Sequence, residues 1–201
     1  MSRIAPIDLQ STCPEARDIV LTLGHPPPES SAFIERLAQS PAALEVFLAA
    51  QCALADGMLT RQQRAMIGLA VAEINGSVYG IAMQQAAAAA AGLSRAEIKN
   101  ARYGRADDVA THALLRFAVA VVLQRGDVSA GDFQAVRRSG FNDACIAEVI
   151  ATIAVCQFAD FFNNVAQTPV DITSPAHAPR LAASDPVPFP PAVPAAAGAG
   201  Q

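Results

Sequence analysis

Residues 73–85 read E-I-N-G-S-V-Y-G-I-A-M-Q-Q. The stretch holds a helix stop and a helix start back to back. Asn75-Gly76 ends an apolar-periodic run, and glycine readily takes the left-handed conformation that follows a helix. Ser77 then stands where an N-cap belongs, its hydroxyl able to accept from the open N–H groups of the next turn. The run beyond it continues through the six alanines 86–91 to Gly92. Two helices joined with almost no linker set the reading for the rest of the chain.

The same punctuation recurs on both sides. Ser40-Pro41 pairs an N-cap with Pro at the first helical position, and the pattern runs on to Gly57. Thr60 opens R-Q-Q-R-A-M-I-G-L-A-V-A-E-I-N, which stops at Gly76. Ser94 to Glu97 is a capping box for a short helix ending near Tyr103-Gly104. D-V-A-T-H-A-L-L-R-F-A-V-A-V-V-L-Q-R is closed by Gly126, and a short helix from Ser129 and Asp132 by Gly140. Asn142 or Asp143 caps a final long helix through F-F-N-N-V. No alternating strand pattern occurs, so the expected fold class is all-α.

Composition agrees. Just over half of the 201 residues are apolar, aromatics are few and Trp is absent, so the core is built from Ala, Leu, Ile and Val. That length suffices for one domain with a full core. A net charge of −4 argues against a nucleic-acid partner. Charged or amide side chains interrupt the apolar runs, so no membrane span is expected, and the N-terminus M-S-R-I-A-P-I-D-L-Q lacks an apolar signal core. A cytoplasmic protein is the expectation. The four cysteines, Cys13, Cys52, Cys145 and Cys156, show no C-x-x-C spacing and no His cluster accompanies them, so neither a metal site nor a disulfide framework is expected. Cys145 and Cys156 fall in one apolar helical pattern, the setting of buried, inert thiols.

Three segments are expected. Residues 1–30 form a lead-in with room for one helix, 31–173 form the helical domain, and 174–201 form a Pro/Ala-rich tail that buries too little apolar area to order itself. His25 reads as a loop residue beside three prolines, His112 as a surface residue, and His177 lies in the tail.

With the helices placed, the order of motifs resembles the carboxymuconolactone decarboxylase/alkylhydroperoxidase D-like superfamily, in particular its peroxidase-related branch. The matching stretches are S-P-A-A-L-E (40–45), L-A-V-A-E-I-N-G (69–76), A-G-L-S-R-A-E-I (91–98), R-Y-G-R-A-D (102–107), A-L-L-R-F-A (113–118) and F-F-N-N-V-A-Q-T-P-V-D (161–171). The resemblance implies an alkylhydroperoxidase D-like helical bundle, no cofactor, and assembly as a dimer, trimer or hexamer. Peroxidase relatives carry C-x-x-C-x-x-x-H at a helix start, where the dipole stabilises a thiolate, with a Glu on the preceding helix. Carried over, the two cysteine positions hold Ser77 and Gly80, the His position Gln84 and the Glu position Ala65. A hydroxyl has no redox ladder and glycine has no side chain, so the resemblance implies a lost thiol-peroxidase site.

The polar groups left in the segment are the candidate site. Glu73, Ser77 and Tyr79 are the catalytic candidates; Ala65, Gly80, Gln84 and Asn164 complete a pocket. Asp160 lies a turn from Asn164. Each has a plainer role: Ser77 as an N-cap, Glu73 as the partner of an Arg such as Arg64, Tyr79 as a packed ring with a wet tip. Two functions fit: a non-redox homologue that binds a small molecule or serves as a scaffold, or a cofactor-independent lyase, isomerase or decarboxylase using the same pocket. Hydroperoxide reduction through another cysteine, Cys52 first, is a third and minor reading.

Overall fold

The computed structural model describes residues 2–7 and 31–172. The lead-in, with Cys13 and His25, falls almost wholly outside the described residues. So do the tail and His177.

Eight helices run through the described residues, with no strand among them: α1 (Ser31–Leu37), α2 (Pro41–Ala55), α3 (Arg61–Ile74), α4 (Val78–Ala90), α5 (Arg95–Arg102), α6 (Val109–Leu123), α7 (Ala130–Arg138) and α8 (Asp143–Ala166). Every helix from α2 onward starts on a side-chain cap. Ser40, Thr60, Ser77, Ser94, Asp108, Ser129 and Asn142 each accept from the backbone N–H three residues on. Thr60–Gln63 and Ser94–Glu97 close the reciprocal capping box. Gly76 takes φ 60° between α3 and α4, a conformation a side chain would strain.

Helix α1 is the element that the sequence pattern does not reveal. Seven residues are too few to show a period or to be stable alone. Packing holds it: Phe33, Ile34 and Leu37 are buried, and α1 lies against α2 and α8.

Helix α3 is the hub. All eight residues from Ala65 to Ala72 are buried, and α4, α5, α6 and α8 pack around it. A helix apolar on every side must be enclosed, which is why this short segment organises the core. One cluster joins Ile67, Leu69, Leu114, Leu115, Val149 and Ile153; a second joins Phe33, Leu44, Phe47, Tyr79 and Ala159. The alanines of α4 divide between the two uses open to them: Ala82, Ala86 and Ala88 are buried, Ala89 and Ala90 exposed.

Helix α8 corrects the expectation that charges break every long apolar run. Its 24 residues are long and apolar enough to cross a bilayer by length and composition, because Glu148 and Asp160 are its only charges after Asp143. Both carboxylates are tied to protein partners. Glu148 accepts from the N–H groups of Met58 (2.7 Å) and Leu59 (3.1 Å), and Asp160 from the Asn75 side chain (2.9 Å). The apolarity of α8 therefore goes, in good part, to the core between α3, α4 and α2.

Candidate functional site

The turn between α3 and α4 brings some of the candidates together and separates others. Ser77 is fully buried, and its Oγ accepts from the Gly80 N–H at 3.0 Å. Asp160 of α8 lies against the same turn. It is 2% exposed, accepts from Asn75 Nδ2, and is hydrogen-bonded by Ser77. A Cβ on residue 80 would stand 1.9 Å from Asp160 Oδ1 and 2.8 Å from Ser77 Oγ. The space that a side chain at position 80 would take is thus filled by a carboxylate from another helix.

Burial pushes the Asp160 carboxyl up to about 6, although the bonds from Asn75 and Ser77 pull the other way. Its pKa in the unfolded chain is about 4, so the folded state holds this proton more tightly. Between about pH 4 and pH 6 the unfolded chain ionises first, and the contribution of Asp160 to stability falls as pH rises. Asp160→Asn removes that term: we expect it to leave stability unchanged near pH 4 and to raise it by about 2 kcal/mol at pH 7. Paired urea melts of wild type and variant at the two pH values check this; an equal difference at both would contradict it.

Glu73, four residues before Ser77, faces elsewhere. Its Oε2 accepts from Arg102 Nε at 2.7 Å, with the two side chains 8% and 4% exposed respectively. The partner is thus Arg102 on α5 rather than Arg64 on its own helix. Tyr79 is likewise committed: its hydroxyl donates to Asp171 Oδ1 at 3.1 Å and accepts from the Phe33 N–H at 3.3 Å. Burial, then the Asp171 carboxylate, drives its pKa well above the ordinary phenol value. Asn164 is exposed and donates to the Asn75 carbonyl at 3.0 Å. It fastens the α3–α4 turn from outside while Asp160 holds it from within.

Ala65 and Gln84, in contrast, line one cavity of about 180 Å³. Its walls come from the end of α2 (Gln51, Leu54), the first turns of α3 (Arg61, Arg64), α4 (Met83, Ala87) and α8 (Thr152, Val155, Cys156). The Gln84 side chain lies across Gly68, where a Cβ would stand 2.4 Å from its Cδ, and reaches Cys156 Sγ at 3.8 Å. Ser77, Tyr79 and Gly80 do not line this cavity. Burial, followed by the charge of Asp160, raises the Cys156 thiol to about 12, so it is not a thiolate at neutral pH. Cys52 is exposed on α2 and is not part of the lining; Cys145 is buried at the start of α8.

Sequence reasoning missed the arginines. The available signal was their place: α3 has no acidic residue in its first turn and carries Arg61 and Arg64 there instead. Cations at the positive end of a helix run against the usual preference. A second groove, lined by Thr60, Gln63, Glu97, Asp107 and Asp108, is richer in polar groups. Most of these already serve helix caps: Thr60 with Gln63, Glu97 with Ser94, Asp108 with Thr111.

The described helices share the fold of the alkylhydroperoxidase AhpD core. The family model of the carboxymuconolactone decarboxylase family matches residues 41–123. Among solved structures, the chain is similar to an uncharacterized peroxidase-related protein from Ralstonia eutropha JMP134 with the alkylhydroperoxidase AhpD core. The TM-score is 0.75 at 24% identity, covering 84% of this chain and 92% of that one. It is similar also to the debrominase Bmp8, at TM-score 0.64 and 18% identity over 88% and 94% of the two chains. Bmp8 is known too in complex with 2,3,4-tribromopyrrole. A peroxidase-related protein from Silicibacter sp. TM1040 matches at TM-score 0.66 and 18% identity, over 83% and 90%. No curated protein matches the sequence. The chain thus carries a stretch that matches the carboxymuconolactone decarboxylase family model and shares the fold of the alkylhydroperoxidase D core.

Proposed function

We propose that this protein is a non-redox member of the superfamily that binds a small molecule in the cavity between α2, α3, α4 and α8. One observation carries the reading. Ala65 and Gln84, which the resemblance to peroxidases puts at their Glu and His positions, line an open cavity, whereas Ser77 and Gly80 do not and Asp160 fills the side-chain space at position 80. The binding space is kept and the redox relay is not. At about 180 Å³ it falls below the roughly 300–1,000 Å³ of drug-sized pockets, which fits a one-ring compound. The tribromopyrrole bound by Bmp8 supports that scale, since it is a single small ring held by the same fold.

The test has two arms on one preparation. In a hydroperoxide-reduction assay driven by a thiol reductant, we expect no turnover above the blank; turnover abolished by Cys52→Ser would overturn the reading. In the second arm, one-ring compounds are added while methionine methyl resonances are followed. Met83, in the cavity wall, is expected to shift, and Met66, which lines the other groove, serves as reference.

Asp160 favours a second reading, in which the protein is a cofactor-independent lyase or isomerase. A buried carboxyl with a pKa of about 6 is suited to proton transfer near neutrality. It lies one turn from Cys156 in the cavity wall but is not itself part of the lining. That reading requires Asp160→Asn to abolish an activity while leaving ligand binding intact.

A further inference from the structure

We propose that the cavity is a carboxylate site, and that its ligand is a one-ring organic acid whose carboxylate meets Arg61 and Arg64. The proposal rests on the reading of this cavity as the binding site and adds the chemical class of the ligand.

The charge arrangement is the first support. Arg61 and Arg64 are three apart on α3, so they neighbour each other on the helix surface. Both line the cavity, and among the described residues no Asp or Glu does. Neither guanidinium has a carboxylate partner among the described residues; Glu73 pairs instead with Arg102, and Asp143 with Arg137. Glu148, the carboxylate on the facing stretch of α8, is held by the N–H groups of Met58 and Leu59. Two like charges therefore stand at the positive end of a helix with no carboxylate paired to either among the described residues, an arrangement that disfavours the empty protein. A bound anion would offset the helix end and both side chains together.

Geometry is the second support. Arg64 is half-buried, and its Nη1 donates to the Leu59 carbonyl, which fixes the guanidinium while leaving further N–H donors free. Arg61 is exposed and stands at the solvent side of the cavity. A planar fork with one anchored nitrogen is the group best matched to a carboxylate. Away from the arginines the walls are Leu54, Met83 and Val155, so the far end of the ligand is apolar. Gln84 offers an amide at one side.

Benzoate and its neutral isostere benzamide test this on the full chain. We expect benzoate to shift the Met83 methyl at least about tenfold more tightly than benzamide, as charge-assisted bonds to Arg imply. Arg61→Gln should weaken benzoate severalfold and leave benzamide unchanged; Arg61→Gln/Arg64→Gln should erase the preference. Thermal melts of both variants confirm that they fold, and the single variant suffices where the double does not. Equal shifts by the two probes in wild type would overturn the carboxylate assignment while leaving the binding reading intact. No shift by either compound would overturn both.

Discussion

Glu73→Ala is expected to destabilise the protein by about 3–5 kcal/mol, the usual result of stripping one partner from a buried ion pair. The Arg102 side chain is 4% exposed, and its Nη2 has no hydrogen-bond partner of its own. Among the described residues Glu73 is thus the one carboxylate that meets the guanidinium, through Arg102 Nε at 2.7 Å. Without it a full positive charge stays buried between α3 and α5. Against a typical total of about 5–15 kcal/mol, that loss is a large share of stability. Glu73→Gln keeps an acceptor and should cost less. The decisive control is Glu73→Met/Arg102→Met, which removes both charges and fills the space; it should recover most of the loss, since an apolar pair needs no desolvation. Urea melts of the four proteins give the comparison. A double variant as unstable as Glu73→Ala would mean that the pair itself, and not the orphaned arginine, sets the effect. The Arg137–Asp143 pair is the contrast: at 47% and 74% exposure its loss should cost no more than about 1 kcal/mol.

The pairing of Glu73 also shows what the sequence could and could not convey. Everything set by neighbours along the chain was legible. Ser77 is the cap expected of a Ser after Asn-Gly, and Ser94–Glu97 closes its box, because those bonds span three residues. That Glu73 would seek an arginine was legible too, but which one depends on how α5 crosses α3, and Arg102 is 29 residues away. The same holds for Asp160. Its distance of a turn from Asn164 was visible, but not that one would be buried at Gly80 and the other exposed, since only the rotation of α8 decides that. Helix α1 escaped because seven residues carry no period. The cavity arginines were visible as residues and became informative only once the described walls around them showed no carboxylate.

Gly80→Ala should be destabilising in wild type and close to neutral in Asp160→Ala. In wild type the new Cβ would stand 1.9 Å from Asp160 Oδ1. The carboxyl is short, buried, and held by Asn75 and Ser77, so it cannot swing aside without giving up both bonds. Overpacking of this kind costs about 1–3 kcal/mol. With Asp160→Ala the closer obstruction is gone; the Ser77 Oγ at 2.8 Å must still give way, while alanine replaces glycine inside α4, where it is the better helix former by about 1 kcal/mol, so the two effects roughly cancel. The difference amounts to roughly 1–3 kcal/mol of coupling, within the range for residues in contact. Additive effects would mean that Asp160 does not fill the position 80 side-chain space. The consequence for the redox site follows from the same contact. Ala65→Glu/Ser77→Cys/Gly80→Cys/Gln84→His rebuilds the peroxidase pattern on paper, but the thiol at position 80 would collide with the carboxylate. We expect that variant to show no hydroperoxide turnover until Asp160 is also reduced to Ala. Turnover in the fourfold variant alone would show that the carboxylate yields, and that the site at the start of α4 is not closed by it.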